Sequence, residues 1–376
     1  MTERIYDNNA YISEFKAEII SCEEKGKTFE VQLNKTAFFP EGGGQPGDKG
    51  KIGNANVMDT IERDGEIIHI CDSEVNGEVS CVLNWNLRFS NMQQHSGEHI
   101  FSGFTHKLTG FDNVGFHMGE NEVTVDFNGY ISPETLAEIE RLTNIAICEN
   151  RKINIIYPTR DELKNYNYRS KKEIEGQVRL VEIEGADLCA CCGTHVKLTG
   201  EVGLVKVISS MNYKQGVRIT LKIGYKALED YNEKNKSVLA ISNSLKAKAN
   251  EVYEAVEKLK DKLNETHNEL NSIKKELFIA KCENVTEAKP YVFYSSSSAD
   301  DARTLADILA DKLKIAYAFS GDDSNGYKYA IVSRTEDLRE TGKALNAALN
   351  GRGGGKPECI MGTVNATKSE IEKYFE

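Results

Sequence analysis

The stretch Gln94-His95-Ser96-Gly97-Glu98-His99 places two imidazoles four residues apart. On a helix that spacing puts both rings on one face, one turn apart, where they can grip a single metal ion. Leu87, Met92 and Ile100 surround the pair without a proline, which predicts a helix over residues 86–110. Further along, Asp187-Leu-Cys-Ala-Cys-Cys-Gly-Thr-His195 offers a thiol and an imidazole at the same spacing, Cys191 and His195. Cys189 and Cys192 compete with Cys191 as the thiolate. Two nitrogens from one segment and a sulfur plus a nitrogen from the other make a soft four-coordinate set, which suits Zn2+.

Composition limits what can carry such a site. The 376 residues suffice for two or three domains, and 40% hydrophobic with 28% charged residues describes a globular protein. No apolar run reaches the length of a membrane span, and the start, Met1-Thr-Glu-Arg-Ile-Tyr6, has no signal-peptide core. A cytoplasmic location is therefore expected, with the nine cysteines reduced and available for metal binding or burial. A net charge of −11 gives no general attraction to nucleic acid, so an RNA partner needs a local basic surface.

The positioning elements read as a mixed α+β chain. Residues 12–84 hold short alternating strands, such as Phe29–Leu33 and Gly77–Leu83, with Asp64-Gly65 as a hairpin turn; a small β-barrel is predicted. Within it lies Thr36-Ala-Phe-Phe-Pro-Glu-Gly-Gly-Gly-Gln-Pro-Gly-Asp48, whose glycines, Gly43 and Gly44 among them, leave the backbone open to a ligand. After the histidine helix, Glu122–Phe127 alternates as a strand. Ser132-Pro133-Glu134 opens a helix running to about Cys148, and Ile153–Tyr157 is a further strand. Residues 159–172 interleave Arg160, Lys164, Arg169, Lys171 and Lys172 with Tyr166 and Tyr168, a mixture compatible with RNA but equally with a solvated helix face. Val202–Ile208 and Val217–Ile223 form an antiparallel pair.

From about Ala227 to Cys282 neither proline nor glycine occurs. Leu245, Val252, Leu259, Thr266 and Ile273 repeat every seven residues, with Ala249, Val256, Leu263, Leu270 and Leu277 as the second register. This predicts one continuous heptad helix of roughly 80 Å. Beyond Pro290 an α/β module follows, with Asn350–Glu358 expected as a glycine-rich loop in which Arg352 and Lys356 accommodate an anion.

Taken together, the glycine-rich Thr36–Asp48 stretch, Gln94–His99, Gly115-Phe-His-Met-Gly119 and Asp187–His195, in that order, resemble the free-standing alanyl-tRNA editing proteins of the AlaX type, relatives of the editing domain of alanyl-tRNA synthetase. Gly351-Arg-Gly-Gly-Gly-Lys-Pro357 resembles the synthetase C-terminal domain. Gly97 departs from the pattern, which often has alanine there. The resemblance implies a barrel-like domain over 1–86, a zinc-binding editing domain over 87–224, a long helix over 225–284 and a C-terminal α/β module over 285–376. It implies Zn2+ held by His95, His99, Cys191 and His195, selecting Cys191 over its neighbours. The implied activity is hydrolysis of the ester linking a wrong amino acid, serine chiefly and glycine second, to tRNA(Ala). A pocket built for alanine rejects neither well, so a second site must remove them. Thr36 takes the place of the threonine associated with recognising serine. Gly43, Gly44, Gln45 and Gln94 are expected substrate contacts, Glu98 a candidate base, His117 a supporting residue, and Arg352 and Lys356 tRNA contacts. A homodimer through the heptads is expected.

Two other classes compete. His95-Ser-Gly-Glu-His99 also fits the H-x-x-E-H pattern of zinc peptidases, which want a carboxylate as third ligand. A non-catalytic RNA-binding protein with structural zinc fits the four-ligand set, because catalytic zinc keeps a position open.

Overall fold

The computed structural model describes residues 2–119, 121–170, 176–296 and 298–376. Lys171 and Lys172, two of the basic residues singled out above, lie outside them. The chain divides into two compact units, Met1–Ala240 and Ile241–Glu376.

After a short strand at Glu3–Arg4 that pairs with Lys35–Thr36, the first unit has six antiparallel strands: β1 (Glu14–Lys25), β2 (Thr28–Leu33), β3 (Gly50–Ile52), β4 (Ala55–Arg63), β5 (Glu66–Cys71) and β6 (Glu78–Leu83). They close into a barrel in the order β1-β2-β5-β4-β3-β6. Val31, Leu33, Ile52, Val57, Cys71, Cys81 and Leu83 fill it. Closure removes the unpaired edges that an open sheet would expose. Asp64 and Gly65 both take positive φ, 53° and 82°, as a two-residue hairpin between β4 and β5 requires. The Thr36–Asp48 stretch runs out from the barrel as a tight excursion, closed by Asp48 N to Phe39 O at 2.9 Å and by the Gly42–Gln45 bridge.

Helix α1 (Trp85–Thr109) starts with the Asn84 side chain accepting from Leu87 N and stops at Gly110 in the left-handed region, φ 73°. From Ser90 to Gly103 nearly every residue is buried. Two strands follow, β7 (Asn113–Met118) and β8 (Val123–Phe127), and then α2 (Pro133–Cys148), opened by Ser132 and Pro133 as its sequence predicts. A three-stranded antiparallel sheet comprises β9 (Ile153–Ile156), β10 (Leu180–Ile183) and β11 (Asp187–Ala190). The last strands, β12 (Val205–Tyr213) and β13 (Gly216–Ile223), join a four-stranded sheet of order β12-β13-β8-β7. Ile100 and Phe101 of α1 and Ile139 of α2 pack with Val125, Ile219 and Leu221 in one core.

The heptad stretch forms two helices rather than one. Helix α3 (Tyr225–Leu245) ends at Lys246, φ 52°, and α4 (Val252–Cys282) begins after a short 3-10 turn. Ser242 Oγ donates to Ala247 O at 2.6 Å, so a local hydroxyl completes the stop that no glycine or proline announces. The seam side chains on α4 stay open, Leu263 being 67% and Ile273 56% exposed.

The C-terminal strands are β14 (Tyr291–Tyr294), β15 (Ala316–Asp322), β16 (Gly326–Val332), β17 (Gly351–Lys356) and β18 (Cys359–Val364), in the order β14-β15-β16-β18-β17. Residues 351–356 are thus an edge strand and not the expected loop. Their glycines serve close approach: a Cβ on Gly353 would lie 2.4 Å from Met361 O, and one on Gly355 2.2 Å from Cys359 O. Arg352 and Lys356 sit at alternate positions of that strand, both exposed. Among the described residues no helix is long and apolar enough to cross a membrane.

Candidate metal centre

Helix α1 presents His95 and His99 on one face, and the coil after β11 brings Cys191 and His195 onto it. One ligand atom from each of these residues lies within 4.8 Å of all the others. Cys191 Sγ is 3.4 Å from His95 Nε2, and the three imidazole centroids are 4.5 to 5.2 Å apart. Gly193 is obligatory here, because a Cβ on it would meet the His95 ring at 2.1 Å.

Each imidazole is held by its outer nitrogen. His95 Nδ1 meets Gln45 Oε1 at 2.9 Å, His99 Nδ1 meets Asp187 Oδ2 at 3.0 Å, and His195 Nδ1 meets Ser96 Oγ at 3.3 Å. Asp187 is in turn gripped by Arg169 through two bonds of 2.8 Å. The two acceptors, Gln45 Oε1 and Asp187, place the proton of His95 and His99 on Nδ1, and all three partners orient the rings with Nε2 inward. His195 Nε2 is buried with no hydrogen-bond partner. An orphaned, inward-facing nitrogen beside a thiol and two more imidazoles is what a tetrahedral metal site of three nitrogens and one sulfur requires, so the residues fit Zn2+.

Electrostatics agree. Burial opposes ionisation of Cys191, yet His95, His195 and His99 around it hold its thiol well below the ordinary cysteine range. Burial likewise works against the charge on Asp187, but its bonds to His99 and Arg169 bring the carboxyl down to about 2. Cys189 groups with His99 and Asp187 instead, and burial pushes its thiol up; Cys192 is exposed. The carboxylate of that second group is already committed to Arg169, which makes it support for His99.

The remaining sequence-predicted residues are placed differently. Gln45 is fully buried with both ends used, Oε1 on His95 and Thr194 N, Nε2 on Thr194 Oγ1 at 2.8 Å. Gln94 turns back along its own helix onto Ser90. Gly43 and Gly44 have φ of 61° and 87°; Gly44 O accepts from Met118 N, and a Cβ on Gly44 would strike Phe116 at 2.5 Å. The Glu98 carboxylate is bound by Ser102 and Asn113 on the β7 side of the helix. His117 is exposed on β7. Thr36 is fully buried; its Oγ1 lies 2.9 Å from His69 Nε2 and accepts from Phe38 N. Gly97, the departure from the family pattern, is packed against Ile223, whose Cγ2 would lie 2.7 Å from an added Cβ.

Sequence reading missed the supports. Ser96, Asp187 and Arg169 carry no motif of their own beyond lying near ligands. Arg88 and Asp48 form a fully buried pair that ties the glycine-rich excursion to α1, with Arg88 also donating to Ala10 O and Ala37 O.

Residues 178–220, which include Cys191, His195 and strand β12, match the threonyl and alanyl tRNA synthetase second additional domain. The class is therefore that of proteins carrying a synthetase-type additional domain. Over 99% of its length the chain is 30% identical to the alanyl-tRNA editing protein AlaX-L of Pyrococcus horikoshii, covering 96% of that protein. It is 26% identical to alanyl-tRNA editing protein Aarsd1-A of Xenopus laevis, across 98% of this chain and 96% of the other. Alanine--tRNA ligase of Thermofilum pendens is 27% identical over 98% of this chain, which spans 43% of the ligase. The chain belongs to the alanyl-tRNA editing proteins, hydrolases that deacylate mischarged tRNA.

Proposed function

We propose that the chain is a trans-editing hydrolase that deacylates tRNA(Ala) carrying serine, with glycine as a second wrong amino acid, and that its metal is Zn2+ held by His95, His99, Cys191 and His195. The observation that carries this reading is the convergence of those four donors, each imidazole anchored by its outer nitrogen. Zinc held by all four residues would have its tetrahedron filled, so polarising the ester would require a displaced ligand or a fifth position, and with neither it would serve to position the substrate. Gln45, Asp187 with Arg169, and Ser96 hold the three rings in register for it. The site being almost wholly buried, these dipoles act in a low dielectric where they count for more than in water.

Glu98 we assign to the helix–strand junction through Ser102 and Asn113, and against a peptidase of the H-x-x-E-H type speaks the place of its carboxylate ligand being taken by Cys191 and His195. Serine recognition we assign to Thr36. Val31 O can only accept, so His69 Nδ1, 3.0 Å away, carries the proton and Nε2 accepts from the Thr36 hydroxyl. With Phe38 N on one lone pair, Thr36 Oγ1 keeps the other, which a serine hydroxyl would take once substrate opens this buried position and for which alanine has no donor. Gly43 and Gly44 shape the loop above the site, and Gln94 supports it from within α1. Arg352 and Lys356 are assigned to tRNA contact, and the open heptad face of α4 to a homodimer, in a cytoplasmic enzyme.

Measured deacylation of Ser-, Gly- and Ala-tRNA(Ala), with zinc loaded and with zinc stripped, tests the proposal. Hydrolysis of the first two, sparing of the third and dependence on zinc are expected. Tight tRNA binding without deacylation would favour the non-catalytic reading.

A further inference from the structure

Arg179, the residue before β10, is clasped to the ligand-bearing segment at both its ends. Its carbonyl accepts from Cys191 N at 3.1 Å, and its Nη1 donates to Cys191 O at 2.6 Å. The guanidinium is therefore fixed beside a metal ligand. Its Nε is shielded from solvent and has no hydrogen-bond partner. Among the described residues no carboxylate lies within ion-pair distance of it, whereas the neighbouring Arg169 is fully engaged by Asp187 and Arg88 by Asp48. Asp7 is close enough for its carboxyl, pushed up by burial, to be pulled back by Arg179, but it makes no ion pair with it among the described residues. A rigid, planar cation with an uncommitted donor beside a catalytic metal is a ready partner for a phosphate, which the guanidinium fork matches in shape.

We propose that Arg179 binds the terminal phosphodiester of the substrate's 3′ end, the phosphate that lies one ribose away from the ester. This rests on the editing reading above and adds the anchor that reading lacks. The phosphate would take the unpaired Nε donor together with an outer N–H, while Nη1 stays on Cys191 O. The amino-acid ester then falls on the metal side of Cys191, and the ribose spans the gap. Binding of the nucleotide end and placement of the ester become one geometric event, because one residue touches both the phosphate and the ligand loop.

The test compares two substrates, seryl-tRNA(Ala) and the 3′-seryl ester of adenosine, which has no phosphate. Arg179→Met should lose tenfold or more in kcat/KM on the tRNA, chiefly through KM, and far less on seryl-adenosine. The slope of log KM for the tRNA against log salt should fall by about one phosphate's worth. Arg179→Lys, which keeps the charge, should recover part of the loss on tRNA. Zinc content is measured on every variant. Equal losses on both substrates, in either variant, would make Arg179 a support of the Cys191 segment and overturn the proposal, as would an unchanged KM for tRNA. A parent protein that hydrolyses neither ester would instead remove the editing reading itself.

Discussion

Gln45 Oε1 accepts from both His95 Nδ1, at 2.9 Å, and Thr194 N, at 3.1 Å, so one amide of the glycine-rich excursion joins the two halves of the metal centre. Its Nε2 closes the same contact onto Thr194 Oγ1. Replacing it with Ala should weaken zinc binding by roughly 10–100-fold, the usual effect of removing an outer-shell partner. A chelator competition titration reads this directly. Undiminished affinity with lost deacylation would return Gln45 to the role of a substrate contact.

The cysteines should separate by metal content. Cys191→Ala removes the thiol that, among the described residues, shares the site with three imidazoles and is expected to reduce bound zinc sharply. Cys189→Ala and Cys192→Ala should change it little. Zinc per chain, measured on each purified variant, decides; full zinc in the Cys191 variant would mean that another group holds the metal.

Asp48→Ala should be severely destabilising. It strands the fully buried Arg88 guanidinium without its counter-ion, a change that costs about 3–5 kcal/mol when one partner of a buried pair is removed. It also deprives Phe39 N of its acceptor. Urea unfolding in excess zinc should show the drop, and replacing both residues with apolar ones should recover part of it. A loss below about 1 kcal/mol would show that the pair is replaceable in place.

Thr36→Val keeps the side-chain shape and removes the hydroxyl. Hydrolysis of Ser-tRNA should slow by roughly the fivefold that about 1 kcal/mol of one hydrogen bond allows, with Gly-tRNA little changed. Because Thr36 is buried against His69 and Phe38, a packing defect is the competing outcome. It would appear as equal losses on both substrates.

His69 gives a pH dependence away from the metal. Burial brings its pKa down to about 4, only partly offset by its bond to Val31 O. The unfolded chain, with an ordinary histidine near 6.5, takes up this proton first as pH falls. Stability from neutral His69 is therefore complete above about pH 6.5 and is lost between there and about pH 4, to a total of about 3 kcal/mol. His69→Gln should flatten that part of the profile relative to the parent. Parallel profiles from about pH 7.5 to about pH 3.5, the span that brackets this loss, would show that His69 is not the titrating group.

What the sequence determined by itself was chemistry that lives in short spacing. Two i, i+4 pairs, His95/His99 and Cys191/His195, marked candidate donors, because helical and tight-turn geometry is local, while the choice of Cys191 over Cys189 and Cys192 came from the resemblance. The hairpin at Asp64-Gly65 and the start of α2 were equally legible, since positive φ and N-capping leave residue-type signatures. The break at Lys246 was not, because a serine hydroxyl reaching the backbone five residues on replaces the glycine or proline that would have announced it. Nor was strand β17: a run of glycines reads as loop until Met361 and Cys359 are seen crowding it. Above all, tertiary structure decided what each polar side chain does. Gln45, Gln94 and Glu98 have the residue types of substrate contacts or a base, and in this structure each has partners within the protein. Theirs are Thr194 and His95, Ser90, and Ser102 with Asn113. Arg179 stands beside Cys191 because β10 and β11 pair as a hairpin, but Asp187 reaches His99 from 88 residues away, an approach that no local pattern encodes.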